Sequence, residues 1–529
     1  MNELVLSIKN LSVSYGQRQV LSEISFDIKP GEIVGIVGES GCGKSTLLKA
    51  IFPKKASGLS ISSGSVCFGQ QDLTELNQRE IRGLCGKEIG MIVQNPKASF
   101  NPIRTYRKQL IETLKSHGLY QKEGFEKQML EAFKKLDLAN GPEILDSCPC
   151  EMSGGMNQRI AIALSLFLKP RLLLADEPTS ALDVPNQKLV IEELLRIRAY
   201  TNTAIILVTH NIGLLSQIAH KAGVLYEGRL VEWGTAKEVL YAPKHFYTRR
   251  LLDAVPKVRL QRKTTPRKAA EVLLKLEAVS KEYRRKKVPF LALSQIGLEV
   301  KAGEILGVVG ESGSGKSTLL GMIAGLWDPT GGEVFFRDKP MGTKRTKADY
   351  GRMQMVFQNA AESFDPRYSI RHSIHVALKN LCGMKKREDR DRKINELMER
   401  VGLSPELADR YPWQLSGGQC QRAAIARAIS VEPELLLCDE ITSALDAPIQ
   451  SDVIRLLKKL VEETGMAVIF VSHDLVLVSS FCDKLLVLHQ GKCVEAGTPE
   501  TLIRNPIEGY TKRLLASAGM DRSLRIGTD

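Results

Sequence analysis

Short apolar runs and longer polar stretches alternate along this chain, and the whole alternation occurs twice. Leu4-Val5-Leu6-Ser7-Ile8 reads as a strand, and a turn at Pro30-Gly31-Glu32 leads into Ile33-Val34-Gly35-Ile36-Val37. The same order returns at Leu273-Leu274-Lys275-Leu276, Lys301-Ala302-Gly303-Glu304 and Ile305-Leu306-Gly307-Val308-Val309. Apolar runs of this length, bounded by turn residues, fit strands buried on both faces of a parallel sheet. Later runs of the same kind are Leu172-Leu173-Leu174-Ala175 and Ile205-Ile206-Leu207-Val208, then Leu435-Leu436-Leu437-Cys438 and Val468-Ile469-Phe470-Val471. Polar, helix-compatible stretches such as Gly124 to Leu138 and Lys385 to Val401 lie between early and late runs. The pattern predicts α/β architecture, with an antiparallel part at the start of each half and a helical insert in its middle.

Constant offsets turn this impression into a duplication. Lys44 and Lys316 are 272 positions apart, and Gln94 and Gln358 are 264 apart. Ser153 and Ser416, Asp176 and Asp439, and His210 and His473 are all 263 apart. Two homologous domains in tandem are expected, over residues 1–253 and 272–529. About eight extra residues fall in the first repeat, around Ile51 to Gly86. The segment 254–271 holds Pro256, Pro266 and six Lys or Arg, and reads as an exposed basic linker.

Composition refines the picture only slightly. A length of 529 residues is too much for one core and fits two or three domains. The net charge of +14 is compatible with nucleic acid, an anionic membrane face, anion-binding sites or a solvated basic surface. Ten cysteines are scattered, and the close pair Cys148 and Cys150 has no second pair at metal-site spacing. Such usage suits a reducing compartment. The N-terminal segment lacks the basic and apolar regions of a secretory signal. No apolar stretch approaches the roughly 20 residues that span a bilayer, so any channel must come from another chain.

The chemistry sits in the repeated motifs. Gly38-Glu39-Ser40-Gly41-Cys42-Gly43-Lys44-Ser45-Thr46 and Gly310-Glu311-Ser312-Gly313-Ser314-Gly315-Lys316-Ser317-Thr318 each follow an expected strand and open an expected helix. In that context the pattern is a phosphate loop. Its glycines let backbone N–H groups converge on phosphate oxygens, and the helix N-terminus adds partial positive charge. Lys44 and Lys316 are placed to reach the outer phosphates, and Ser45 and Ser317 to ligate Mg²⁺. Asp176 and Asp439 end buried strands and can orient the same ion. The adjacent Glu177 and Glu440 can polarise an attacking water as general bases. His210 and His473 follow further apolar strands, where an imidazole can bond the last phosphate and hold the water.

These residues are similar to the ATP-binding-cassette ATPases. Leu415-Ser416-Gly417-Gly418-Gln419 resembles the family's signature sequence, and Met152-Ser153-Gly154-Gly155-Met156 is its counterpart. The resemblance implies two tandem P-loop nucleotide-binding domains, each with an antiparallel β subdomain, a parallel-sheet core and a helical subdomain. It also implies ATP and Mg²⁺ as ligands, and sites shared head to tail. Lys44, Asp176, Glu177 and His210 would face Ser416-Gly417-Gly418, and Lys316, Asp439, Glu440 and His473 would face Ser153-Gly154-Gly155. Gln94 and Gln358 match the glutamine that senses Mg²⁺ and water, and Tyr15 and Tyr283 the ring that stacks on adenine. Ser180-Ala181-Leu182-Asp183 and Ser443-Ala444-Leu445-Asp446 match the loop that communicates between sites. Three departures stand out: Met156 in place of the signature glutamine, Ile441 where the first half has Pro178, and Asn211 where the second has Asp474. None removes a ligand or charge needed for hydrolysis, so two competent sites are expected.

Val93-Gln94-Asn95-Pro96-Lys97-Ala98-Ser99-Phe100-Asn101-Pro102 resembles the QDPxxSLNP stretch of dipeptide, oligopeptide and nickel importer ATPases. Val356-Phe357-Gln358-Asn359-Ala360-Ala361-Glu362-Ser363-Phe364-Asp365-Pro366-Arg367 is a looser version. The segments from Ala242 to Leu252 and from Asn505 to Leu515 resemble that family's NPxHPYTxxLL ending. A cysteine-clustered tail found after the first ATPase of many peptide systems is missing from the linker, which leaves dipeptide, nickel or metal-chelate uptake open. The resemblance implies a fused pair of ATPase subunits on the cytoplasmic face of the cell membrane, peripheral to it. Its partners would be two membrane permease subunits and, indirectly, an extracytoplasmic solute-binding protein, with no nucleic acid. The competing readings are a tandem ATPase of ribosomes or DNA, and an exporter ATPase. The short linker and the absence of paired Cys-x-x-Cys motifs weigh against the first, and the domain endings against the second.

Overall fold

The computed structural model describes residues 4–95, 99–179, 182, 184–255, 271–285, 288–342, 344–443 and 445–518. The chain forms two compact units, one built on Met1–Val255 and the other on Pro256–Leu445 with Ile449–Asp529. Among the described residues, no helix is long and apolar enough to cross a membrane.

The first unit has an antiparallel sheet and a mainly parallel one. The antiparallel sheet runs in the order Arg18–Ile28, Leu6–Tyr15, Leu59–Phe68, Gln71–Asp72. The six-stranded sheet runs Arg229–Thr235, Lys221–Tyr226, Ile33–Val37, Ala204–Val208, Leu172–Asp176, Ile89–Ile92. Only its first pair is antiparallel. Every residue of Ile33–Val37, Leu172–Asp176 and Ala204–Val208 is buried, as runs without alternation require. Because these strands are parallel, their carboxyl ends emerge together, with Ile36 beside Val208, Asp176 beside Val208 and Ile92 beside Ala175. The carboxyl edge of an open parallel sheet is where ligands bind in such folds.

The helical insert follows from sequence spacing. Tyr106, Leu110 and Leu114 line one face of Tyr106–Ser116, and Phe125, Met129 and Phe133 line one face of Phe125–Lys135. Both stripes repeat every four residues and bury against Gly154–Phe167. Arg107 clamps this insert from its rim, bonding Asp146 at 2.6 Å and Glu126 at 2.9 Å.

The second unit repeats the plan. Its antiparallel sheet is Val288–Lys301, Val272–Arg285, Gly331–Phe336, Lys339–Pro340, and its six-stranded sheet is Met353–Val356, Leu435–Asp439, Ala467–Ser472, Ile305–Val309, Lys484–His489, Lys492–Gly497. Helices Ile370–Leu381, Arg387–Arg400 and Gly417–Ile429 form its insert. There Arg371 bonds Asp409 and Asp391 as Arg107 bonds its pair. The extra residues of the first unit partly lengthen Leu59–Phe68, which has 10 residues against 6 in Gly331–Phe336. The rest lie between helix Gln78–Leu84 and Ile89.

Candidate nucleotide-binding sites

Each phosphate loop leaves the carboxyl end of a central strand and enters a helix through a left-handed glycine. Gly43 has φ +107° ahead of Lys44–Ile51, and Gly315 has φ +103° ahead of Lys316–Ala324. Gly38 and Gly310 cannot carry a side chain at all, since a Cβ would lie 2.2 Å from the carbonyl oxygen of Leu225 or Leu488. Lys44 Nζ donates to the Gly38 carbonyl at 2.7 Å and to the Glu39 carbonyl at 2.8 Å. Lys316 Nζ makes the same pair with Gly310 and Glu311, both at 2.8 Å. Both lysines are buried, so the loop itself holds a cation at its centre. Ser40, Gly41, Ser45 and Thr46, like Ser312, Gly313, Ser317 and Thr318, lie on the same loop and first helical turn.

The remaining predicted groups converge on this edge. Gln94 Nε2 donates to Glu177 Oε2 at 3.1 Å, and His210 Nδ1 lies 3.5 Å from the same oxygen. Gln358 reaches Glu440 at 3.1 Å, and His473 lies 3.6 Å from it. Ser317 Oγ donates to Asp439 Oδ1 at 3.3 Å, and Lys316 Nζ is 3.8 Å from Glu440. Sequence reasoning had no signal for one property of the glutamates. Glu177 and Glu440 both sit at φ +46°, in the left-handed region that side chains avoid. Each N–H stays paired, to Val208 or Val471, so the turn is fixed while the carboxylate swings back over the sheet edge.

Burial and charge separate the two carboxylates of each pair. Burial raises the Asp176 and Asp439 carboxyls, only partly offset by the hydroxyls of Ser45 and Ser317. Burial also works on Glu177 and Glu440, but the histidine and lysine beside each outweigh it and hold them below the usual range. Neighbouring carboxylates whose surroundings push them apart in this way suit different tasks, the ionised one that of a proton acceptor. Burial lowers the His473 imidazole, but Glu440 and Asp474 reverse this and leave it above its ordinary value.

The SGG turns begin helices in both inserts. Ser416 accepts from the Gln419 N–H at 3.3 Å, and Gln419 Oε1 accepts from the Ser416 N–H at 3.0 Å, a complete capping box ahead of Gly417–Ile429. Ser153 accepts from the Met156 N–H at 3.2 Å, and Met156 cannot return the bond. Asn157 supports that turn instead, donating to the carbonyls of Pro149 and Ser153 and accepting from Tyr106 Oη at 2.6 Å. Gly154, Gly155, Gly417 and Gly418 therefore present the N–H groups of a first helical turn.

Tyr15 and Tyr283 are half-buried, on strands Leu6–Tyr15 and Val272–Arg285. Trp327, which no sequence motif marks, stands edge-on to Tyr283 at 6.4 Å and is 40% exposed. Pro96, Lys97 and Ala98 of the post-glutamine stretch, Ser180, Ala181 and Asp183 of one communicating loop, and Ala444 of the other lie outside the described residues. So does most of the linker.

Residues 21–180 and 293–443 match the family model described as ABC transporter. This chain belongs to the ABC transporter family. Residues 231–281 also match the model of the oligopeptide/dipeptide transporter C-terminal region. The peptidoglycan transport ATP-binding protein YejF of Agrobacterium fabrum is 36% identical, over 97% of this chain and 96% of its own. An uncharacterized ABC transporter ATP-binding protein YejF of Escherichia coli is 34% identical over 98% and 100%. The glutathione import ATP-binding protein GsiA of Escherichia coli is 34% identical over 97% and 89%. The chain is thus an ABC transporter ATPase of the oligopeptide/dipeptide/nickel family with two cassettes fused, the ATPase subunit of a peptide-import system.

Proposed function

We propose that this chain hydrolyses Mg·ATP at both phosphate loops to drive uptake of short peptides or peptide conjugates through two membrane permease subunits. A solute-binding protein would deliver the cargo, and the chain would work on the cytoplasmic face of the membrane. The match of residues 231–281 to the oligopeptide/dipeptide transporter region carries the choice of cargo class. Relatives named for glutathione import and peptidoglycan transport agree with it, since both compounds contain short peptides.

The residues fit Mg·ATP. Asp176 Oδ1 is buried without a hydrogen-bond partner among the described residues, beside the Ser45 hydroxyl. Both are oxygen donors of the kind Mg²⁺ prefers. When bound, the ion would withdraw charge from the phosphate oxygens. Ser45 with Asp176, and Ser317 with Asp439, would hold it, and Gln94 and Gln358 would sense it. Lys44 and Lys316 would exchange their backbone carbonyls for phosphate oxygens. Glu177 and Glu440 would take a proton from water held by Gln94 and His210, or by Gln358 and His473. Tyr15 and Tyr283 would stack on adenine, and each SGG turn, placed at a helix N-terminus, is itself an anion-binding device.

The test is purification of the full chain from detergent-solubilised membranes, followed by reconstitution into liposomes. Recovery with two polytopic subunits and ATP-dependent uptake of a labelled tripeptide is expected. Uptake of nickel without peptide would reassign the cargo, and detergent-insensitive recovery with ribosomes would overturn the transport reading altogether.

A further inference from the structure

The C-terminal helix of each unit reaches back to its own phosphate loop. In the first unit the Glu39 N–H donates to Tyr247 Oη at 2.9 Å, across 208 residues of sequence. In the second the Glu311 N–H donates to Tyr510 Oη at 3.0 Å. Both tyrosines are buried. Tyr226 stacks on Tyr247 at 4.2 Å and 28°, and His489 stacks on Tyr510 at 3.9 Å and 24°. The turn before each helix is pinned as well. Glu232 accepts from the N–H groups of Lys244 and His245, and Glu495 from those of Ile507 and Glu508. Each hydroxyl is therefore a fixed acceptor.

What it fixes is the peptide that carries the loop lysine. The C=O and N–H of a trans peptide point in opposite directions. The peptide joining Gly38 to Glu39 gives its N–H to Tyr247 and its C=O to Lys44 Nζ. The peptide joining Gly310 to Glu311 is held the same way, between Tyr510 and Lys316. Glycine on one side leaves this peptide little rotational restraint of its own. We infer that Tyr247 and Tyr510 are positioning residues for nucleotide binding, each locking the first peptide of its loop so that the carbonyl faces the loop lysine. The inference rests on reading the loops as ATP sites, and it gives the region matched at 231–281 a task inside the ATPase unit itself.

The test uses the full chain with Tyr247→Phe and Tyr510→Phe, singly and together. Phenylalanine keeps the ring and its stack but leaves the Glu39 or Glu311 N–H without its acceptor, a loss that shifts the population of the locked loop. Binding of a fluorescent ATP analogue to the double variant should weaken about tenfold, with KM for ATP rising to match and kcat changing little. Amide exchange at Glu39 and Glu311 should accelerate in the same variants, which reads the bond directly even where stability falls. A double variant that melts lower yet binds nucleotide as tightly as the unmodified chain would reduce the tyrosines to a structural role and overturn the inference. Failure of the unmodified chain to bind nucleotide would instead overturn the ATP-site reading, and the inference with it.

Discussion

Replacing Glu177 and Glu440 with glutamine should separate turnover from binding, and the geometry says how far. The amide is nearly isosteric with the carboxylate and can still meet Gln94 or Gln358 at 3.1 Å, so the sheet edge stays in place. What disappears is the base. A positioned general base contributes about 10² to 10⁴ in rate, or about 3 to 5 kcal/mol of barrier, and the double variant should lose a factor in that range. Affinity should respond at both loops. Lys44 rests on two backbone carbonyls and its charge helps hold Glu177 ionised, so Glu177→Gln frees it toward phosphate. Lys316 lies 3.8 Å from Glu440, so Glu440→Gln frees it in the same way, and both changes should tighten binding. Steady-state phosphate release at saturating Mg·ATP measures the first effect, and titration with a fluorescent ATP analogue the second. The single variants add a further reading, since independent sites would leave about half the rate and interlocked sites far less. A double variant that hydrolyses ATP at close to the unmodified rate would refute the assignment of these glutamates as bases.

Two further outcomes follow from smaller differences between the halves. Met156→Gln should complete the capping box that Ser153 begins and raise the stability of the first unit by about 0.5 to 1 kcal/mol, with Gln419→Met lowering the second by a similar amount. Differential scanning calorimetry should show opposite shifts in the two transitions. His473 has a folded-state pKa above its ordinary 6.5, so the stability its charge contributes is complete below that pH. It fades as pH rises through the folded value. The melting difference between the unmodified chain and His473→Gln should accordingly be larger at pH 6 than at pH 9, and a gap that widens with pH would contradict the pairing with Glu440.

The sequence made the sheet and much of the site legible for a physical reason. Strands buried on both faces must be written as unbroken apolar runs, so Leu172 to Asp176 and Leu435 to Asp439 announce themselves. A phosphate loop likewise needs glycines where backbone approaches backbone, as Gly38 shows against Leu225. The tyrosine bonds to the loops left no such trace. In the sequence Tyr247 and Tyr510 are only part of a domain ending, because a contact across about 200 residues has no period. The same holds for Asn157, whose support of the SGG turn depends on Tyr106 arriving from another helix. The left-handed backbone at Glu177 and Glu440 is also invisible, since it is glycine, asparagine and aspartate whose presence signals that conformation.

That backbone has a consequence for how such a chain ages under mutation. A side chain at positive φ costs about 1 to 2 kcal/mol relative to glycine, and among the described residues fifteen non-glycine positions carry it, the matched pair Glu177 and Glu440 included. Folding alone would discard both glutamates. A lineage released from the need to turn over ATP would slide toward glycine or asparagine there and melt at higher temperature as it did so. Silence at either site is thus the downhill direction, and a silent half would be recognised less by damage than by unusual robustness.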